Sequence, residues 1–121
     1  TEMISEGRPI PVFGDGSAGR DYTFVEDTVE GILGAIAYDC AYEVFNLGNS
    51  CPVTLTSMIR AIEQALGQTA TIQRLPDQPG DVPITYADIG KARRLLGYSP
   101  STPFEEGIKI FAEWHRSRAG K

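Results

Sequence analysis

The sequence predicts an α+β domain in which short strands interleave with about four helices. Three observations carry this. Apolar residues recur at helical spacing in several stretches. Short β-branched and aromatic runs lie between them. Glycine and proline punctuate the joins. The strands are too few and scattered for a complete doubly wound sheet. With 121 residues, the chain has room for one domain with a real core, and not for two.

Each element has its own signal. Residues 1–7 read as the end of a helix. Residues 9–13 read as an edge strand, because Pro9 and Pro11 remove ladder donors. Residues 15–19 are a turn cluster, and residues 21–25 have the content of a second strand. Glu26 and Asp27 then open a helix, where carboxylates favour the dipole. Val29, Ile32, Leu33, Ile36 and Ala37 give that helix an apolar face. Residues 43–47 read as a strand and 48–50 as a loop.

Thr54 suits the N-cap of a helix through Leu66, and Gly67 suits its C′ position. Residues 70–75 read as a strand and 76–83 as a proline-rich loop. Asp88 caps a short helix that carries Ile89, Ala92, Leu95 and Leu96 and is closed by Gly97. The last helix has the clearest entry: Thr102 as N-cap, Pro103 at N1 and Glu105 at N3, a capping box. Phe104, Ile108, Phe111 and His115 follow one stripe of it.

Composition narrows the function classes. Hydrophobic residues at 41% and charged residues at 22% are ordinary for a globular domain, which argues against a disordered chain. Net charge is −5, and only the run from His115 to Lys121 is basic. Nucleic-acid binding needs a basic stripe interleaved with aromatics, so that class is excluded. No apolar run is long enough to span a bilayer, and no signal segment opens the chain. The expectation is no membrane partner and a cytoplasmic location. Cys40 and Cys51 lack CxxC spacing, so they predict two buried or half-buried thiols and neither a metal site nor a disulfide framework.

One motif fails its context test. Gly14-Asp-Gly16-Ser-Ala-Gly19 matches GxGxxG, but that fingerprint must open a helix whose N-terminus holds a pyrophosphate. Here strand-favouring residues follow, so a glycine-rich turn is expected. Arg20 comes directly after it. A guanidinium there either grips two phosphate oxygens or forms a surface ion pair with Asp21 or Glu26. Asp81 sits in Pro79-Gly-Asp-Val, a tight turn. Its carboxylate either accepts from ribose hydroxyls or bonds its own backbone.

Four strings in order resemble one family. They are Phe13-Gly-Asp-Gly-Ser with Arg20-Asp-Tyr-Thr-Phe-Val-Glu-Asp; Val44-Phe-Asn-Leu-Gly; Gln78-Pro-Gly-Asp-Val-Pro-Ile-Thr-Tyr-Ala-Asp; and Lys91-Ala-Arg-Arg-Leu-Leu-Gly-Tyr-Ser-Pro with Thr102-Pro-Phe-Glu-Glu-Gly-Ile-Lys. The family is that of the extended short-chain dehydrogenases/reductases, the NAD-dependent nucleotide-sugar epimerases and dehydratases. The chain is most similar to its UDP-glucuronate 4-epimerase branch, in which glutamine is usual at the position of Gln78 and many other relatives carry arginine.

The resemblance implies that residues 1–121 are a single C-terminal substrate-binding lobe of an α/β Rossmann-type enzyme. The NAD-binding Rossmann domain would be absent from the chain and would leave an apolar scar on its surface. By position, Arg20 would bind the phosphates of a UDP-sugar and Asp81 its ribose. The backbone around Val12 and Phe13 would lie by the uracil ring. Asn46 is a further polar candidate near the diphosphate, and Gln78 lies in the same late loop.

The catalytic half of the family pattern is missing. The family pairs a tyrosine with a lysine four residues on, and no tyrosine here has that spacing. Tyr86 precedes Lys91 by five and reads as a packed strand residue. His115 reads as a dipole-favoured surface residue. The chain is therefore expected to bind no NAD, although NAD is the parent family's cofactor, and to be inactive alone as the UDP-sugar-binding portion of an epimerase or dehydratase. The alternative is a stand-alone protein-interaction or self-association module. Its expected partners are UDP or a UDP-sugar held weakly, with the missing half or a second copy on the exposed apolar face.

Overall fold

The computed structural model describes residues 1–119; Lys121, the end of the basic run, lies outside them. The elements run α1 (Glu2–Ser5), β1 (Ile10–Phe13), β2 (Gly19–Arg20), α2 (Val25–Ala37), β3 (Val53–Thr54), α3 (Leu55–Leu66), β4 (Ile72–Leu75), α4 (Gly90–Leu96) and α5 (Phe104–Ala119). The α+β expectation is borne out. Strands β1 and β4 pair in parallel, with Val12 opposite Arg74 and Phe13 opposite Leu75. Strands β2 and β3 pair antiparallel, with Arg20 opposite Val53. A single parallel bridge joins Gly19 to Ile84. No helix among the described residues is long and apolar enough to cross a membrane.

The caps read in the sequence form at α3. Thr54 accepts from the Ser57 N–H at 3.1 Å, and Gly67 closes the helix at φ 68°. Gly97 closes α4 in the same left-handed conformation, and the Asp88 carboxylate accepts from the Gly90 N–H at 2.9 Å. Ile59 and Ile62 of α3 are buried, and α3 packs against α5. A second core gathers Ile89, Ala92 and Tyr98, with Phe45, Leu47, Ala87 and Leu96 against it.

Several expectations are corrected. Residues 21–25 are not a strand; pairing stops at Arg20, and Val25 already begins α2. Asp21 turns its carboxylate toward other loops, which takes the segment away from a ladder. Residues 43–47 are extended but have no strand partner among the described residues. A strand needs a neighbour, and Phe45 and Leu47 find theirs in helix packing instead. Cys40 and Cys51 are exposed, because both lie in loops outside the cores. Tyr86 is exposed rather than packed, and His115 is half-buried.

Helix α2 presents the reverse of its expected orientation. Ile32, Leu33 and Ile36 are 46%, 59% and 77% exposed, while Asp27 and Gly31 are buried. The small-residue side faces the lobe because the backbone approaches closely there. A Cβ on Gly31 would stand 2.7 Å from Leu47 and 3.0 Å from the Tyr98 ring. The large apolar side chains are left outside as a stripe on the surface.

The entry to α5 also differs. The helix begins at Phe104, and the reciprocal Thr102–Glu105 capping bonds do not form. Asp27 takes their place: its carboxylate accepts from the Ser101 N–H at 3.0 Å and the Thr102 N–H at 3.1 Å. This bond pair ties α2 to α5 across 74 and 75 residues of chain. Burial pushes the Asp27 carboxyl up, but the two N–H donors outweigh burial and hold it below the usual aspartate range.

A depressed carboxylate stabilises the fold above its unfolded pKa and loses that contribution as pH falls through the folded one. Asp27→Asn should cost about 2 kcal/mol at pH 7, the scale of charge-assisted bonds to a buried group. Urea unfolding between pH 7 and pH 3 checks this. The unmodified chain should lose stability below about pH 4, and the variant should lose less over the same window.

Candidate functional site

The site is built on the turn between β1 and β2 and the loop after β4. Gly14 and Gly16 take φ 65° and 83°, which turns the chain sharply between the strands. Asp15 accepts from the Ser17 N–H at 2.8 Å and closes the turn from within. The Ser17 hydroxyl and N–H hold the Asp15 carboxyl below its ordinary value. The facing loop has its own turn, the Asp81 N–H donating to the Gln78 carbonyl at 3.2 Å with Gly80 at φ 87°.

Between these walls lies a cleft of about 210 Å³, lined among others by Phe13, Gly14, Ser17, Gln78, Asp81 and Pro83. Arg20 reaches it through Asp81, with which it forms an ion pair, and also donates to the Gly19 carbonyl at 2.8 Å. The partner is Asp81, across 61 residues, rather than Asp21 or Glu26. The pair is half open to water, so it is screened and contributes little to stability. A guanidinium carries five N–H donors, and two are engaged here. The remaining donors have no acceptor among the described residues and can take an anion.

The predicted residues separate. Phe13, Gln78 and Asp81 line this cleft, and Arg20 joins them. Val12 is 2% exposed and does not line this cleft; it lines a separate small cavity with Thr56 and Arg74. Ile10 and Gly14 both donate from their N–H groups to the β4 side, to Thr71 and Leu75. By alternation, the Phe13 N–H and C=O face the opposite edge of β1. Asn46 lies in a different, wider cleft with Tyr86 and Asp88, where it donates to the Asp88 carbonyl at 3.3 Å. Lys91 pairs with Glu43 and lies over the Phe45 ring, 5.3 Å from its centroid, away from Tyr86 chemistry.

Asp21 is the residue that sequence reasoning missed. Its carboxylate accepts from the N–H groups of Asn49 at 3.2 Å, Ser50 at 3.0 Å, Cys51 at 3.3 Å and Ala87 at 3.1 Å. Three consecutive amides converging on one anion make a backbone nest, and Ser50 adopts φ 56° to form it. Gly48 belongs to the same arrangement. A Cβ there would stand 2.7 Å from the Asp21 carboxylate and 2.6 Å from Ala87. The available signal was only that Asp21 directly follows Arg20.

The glycine turn does not fit a dinucleotide. It leads into β2 and does not itself open a helix, so it lacks the strand–turn–helix context that the dinucleotide fingerprint requires. Among the described residues, no group of three or more His, Cys, Asp or Glu side chains is arranged to hold a metal ion.

A family model described as GDP-mannose 4,6 dehydratase matches residues 1–111. The chain belongs to that family. An uncharacterised protein of Methanocaldococcus jannaschii is 49% identical over 108 residues, covering 89% of this chain and 33% of that protein. A UDP-glucuronate 4-epimerase of Thermodesulfobacterium geofontis is 35% identical, covering 95% and 36%. Among solved structures, the Bacillus cereus UDP-glucuronic acid 4-epimerase in complex with UDP-glucuronic acid and NAD superposes with a TM-score of 0.88 at 30% identity, over 97% of this chain and 38% of that one. The Thermotoga maritima UDP-glucose 4-epimerase with UDP-glucose gives 0.90 at 31%, over 98% and 38%. The chain thus spans little more than a third of the length of the relatives it matches. The family is that of the extended short-chain dehydrogenase/reductase epimerases and dehydratases, as the sequence resemblance implied.

Asp21 does not itself line the cleft, and Asp21→Ala should release the nest. Amide exchange at residues 49–51 and 87 should quicken by about tenfold or more, the scale of one lost charge-assisted bond network. Hydrogen-exchange mass spectrometry or NMR checks it, with the amides of α3 expected to keep their protection.

Proposed function

We propose that this chain is the nucleotide-sugar-binding portion of a NAD-dependent epimerase or dehydratase acting on a UDP-sugar. The observation that carries the reading is the juxtaposition of Arg20 and Asp81 at the mouth of the β1–β2 cleft. A diphosphate takes the free guanidinium donors, which suit two oxygens at once. The weak ion pair opens at little cost, and the released Asp81 carboxylate accepts from ribose hydroxyls. The outward edge of β1 at Phe13 offers one N–H and one C=O, which complement the imide edge of uracil. Gln78, at the same cleft, adds a neutral donor and acceptor.

The chemistry belongs to the rest of the longer protein in this reading. No tyrosine–lysine pair of the required spacing occurs here, and the glycine turn does not suit NAD. The exposed stripe on α2 and the unpaired segment 43–47 are the seam against which that remainder packs. The chain alone therefore binds and does not turn over. The self-association alternative uses the same stripe, and light scattering on a Leu33→Asp, Ile36→Asp chain distinguishes it: UDP affinity should stay within about twofold, while any dimer disappears.

Calorimetric titration of UDP tests the site. The unmodified chain should bind, Arg20→Ala should weaken binding by about tenfold or more, and Asp81→Asn should weaken it less. Absence of binding by the unmodified chain, or equal binding by Arg20→Ala, would remove the basis of the proposal.

A further inference from the structure

The glycine-turn wall of the cleft is held from behind. Three carbonyls of the turn are engaged by donors that do not line the cleft. The Gly14 carbonyl accepts from Arg74 Nη1 at 3.0 Å. The Gly16 carbonyl accepts from both the Thr56 hydroxyl and the Thr56 N–H at 3.0 Å. The Ala18 carbonyl accepts from the Leu55 N–H at 3.0 Å. Thr56 and Leu55 belong to the first turn of α3, so two of these anchors come with the helix. Arg74 is the exception. It is an exposed side chain on β4 that spans 60 residues of sequence to reach the turn.

We infer that Arg74 is a positioning residue for nucleotide binding, a clasp that holds the glycine turn in its cleft-forming shape. The inference rests on the nucleotide reading above. Its physical basis is the direction of the carbonyls. An oxygen lone pair facing the cleft would repel a diphosphate, and each tied carbonyl is turned toward its donor behind the wall. Gly14 has no second anchor for its carbonyl among the described residues. Its Cα also lies against the Asp77 carboxylate, so a turn freed at Gly14 has an anion beside it. The Arg74 guanidinium supplies the single anchor of that carbonyl. Its Nη1 stands 3.7 Å from where a Gly16 side chain would begin, so it lies across both glycines of the turn.

Three variants of the 121-residue chain test this: Arg74→Ala, Arg74→Gln and Arg74→Lys. Because Arg74 is exposed, truncating it opens no cavity in the core. Two readouts are needed: amide exchange of residues 14–18 without ligand, and UDP affinity by calorimetry. Arg74→Ala should quicken exchange at the turn several-fold and weaken UDP by about tenfold, with the thermal midpoint nearly unchanged. Arg74→Lys and Arg74→Gln, which keep a donor, should each recover part of the affinity. Unchanged exchange in Arg74→Ala overturns the inference. So does loosened exchange with UDP affinity intact, and so does an Arg74→Gln variant no better than Arg74→Ala. Absence of UDP binding by the unmodified chain sinks the nucleotide reading and this inference together. Binding that is equal in all four proteins sinks this inference alone.

Discussion

The Asp21 carboxylate is the interaction on which the site depends. It accepts four backbone N–H groups from two loops, 48–51 and 85–88, that share no ladder with each other. Its own residue continues directly from β2, where Arg20 projects toward Asp81. The consequence is positional: the guanidinium, the late loop and the small-residue loop are fixed to one point. Tyr98 adds to the same junction by donating its hydroxyl to the Gly48 carbonyl at 2.9 Å from within the second core. A buried phenol and a nested carboxylate thus hold in place loops that have little regular structure of their own.

The chain organises itself around carboxylates because its apolar surface is unevenly used. Helix α2 sends glycine and Asp27 inward and its large apolar residues outward. Such a helix contributes little apolar burial to this lobe. Polar bonds hold it instead, the Asp27 pair to the segment before α5 above all. The outward stripe is exposed in a chain that covers about a third of the length of its relatives.

Much of the fold was legible where a local rule governs. Thr54, Gly67 and Gly97 end helices through their own conformations and bonds, so sequence alone places them. The strands at β1 and β4 follow from short apolar runs. What sequence could not supply was partnership. Residues 43–47 have strand composition and no strand beside them. Val29, Ile32, Leu33 and Ile36 have perfect helical spacing, which tells that a face will be covered and not by what. The Thr102–Glu105 box lost to Asp27, a competitor 75 residues away. In the site, Arg20 and Asp81 were visible as residues of the right chemistry beside turns. Their pairing with one another was not, and Asn46, plausible by position, sits in a separate cleft. Asp21 and Arg74 act through backbone groups of distant segments, which no spacing rule reveals.

The central claim is that the cleft between the glycine turn and the 78–83 loop accepts a nucleoside diphosphate. Amide chemical-shift mapping during a UDP titration tests it most directly, because it reports location as well as binding. The account predicts shifts concentrated at Phe13 to Ala18, at Arg20 and at residues 78–83, with α2 and residues 43–47 silent. Shifts confined to α2 or to the cleft around Asn46, or none up to saturating UDP, would contradict it.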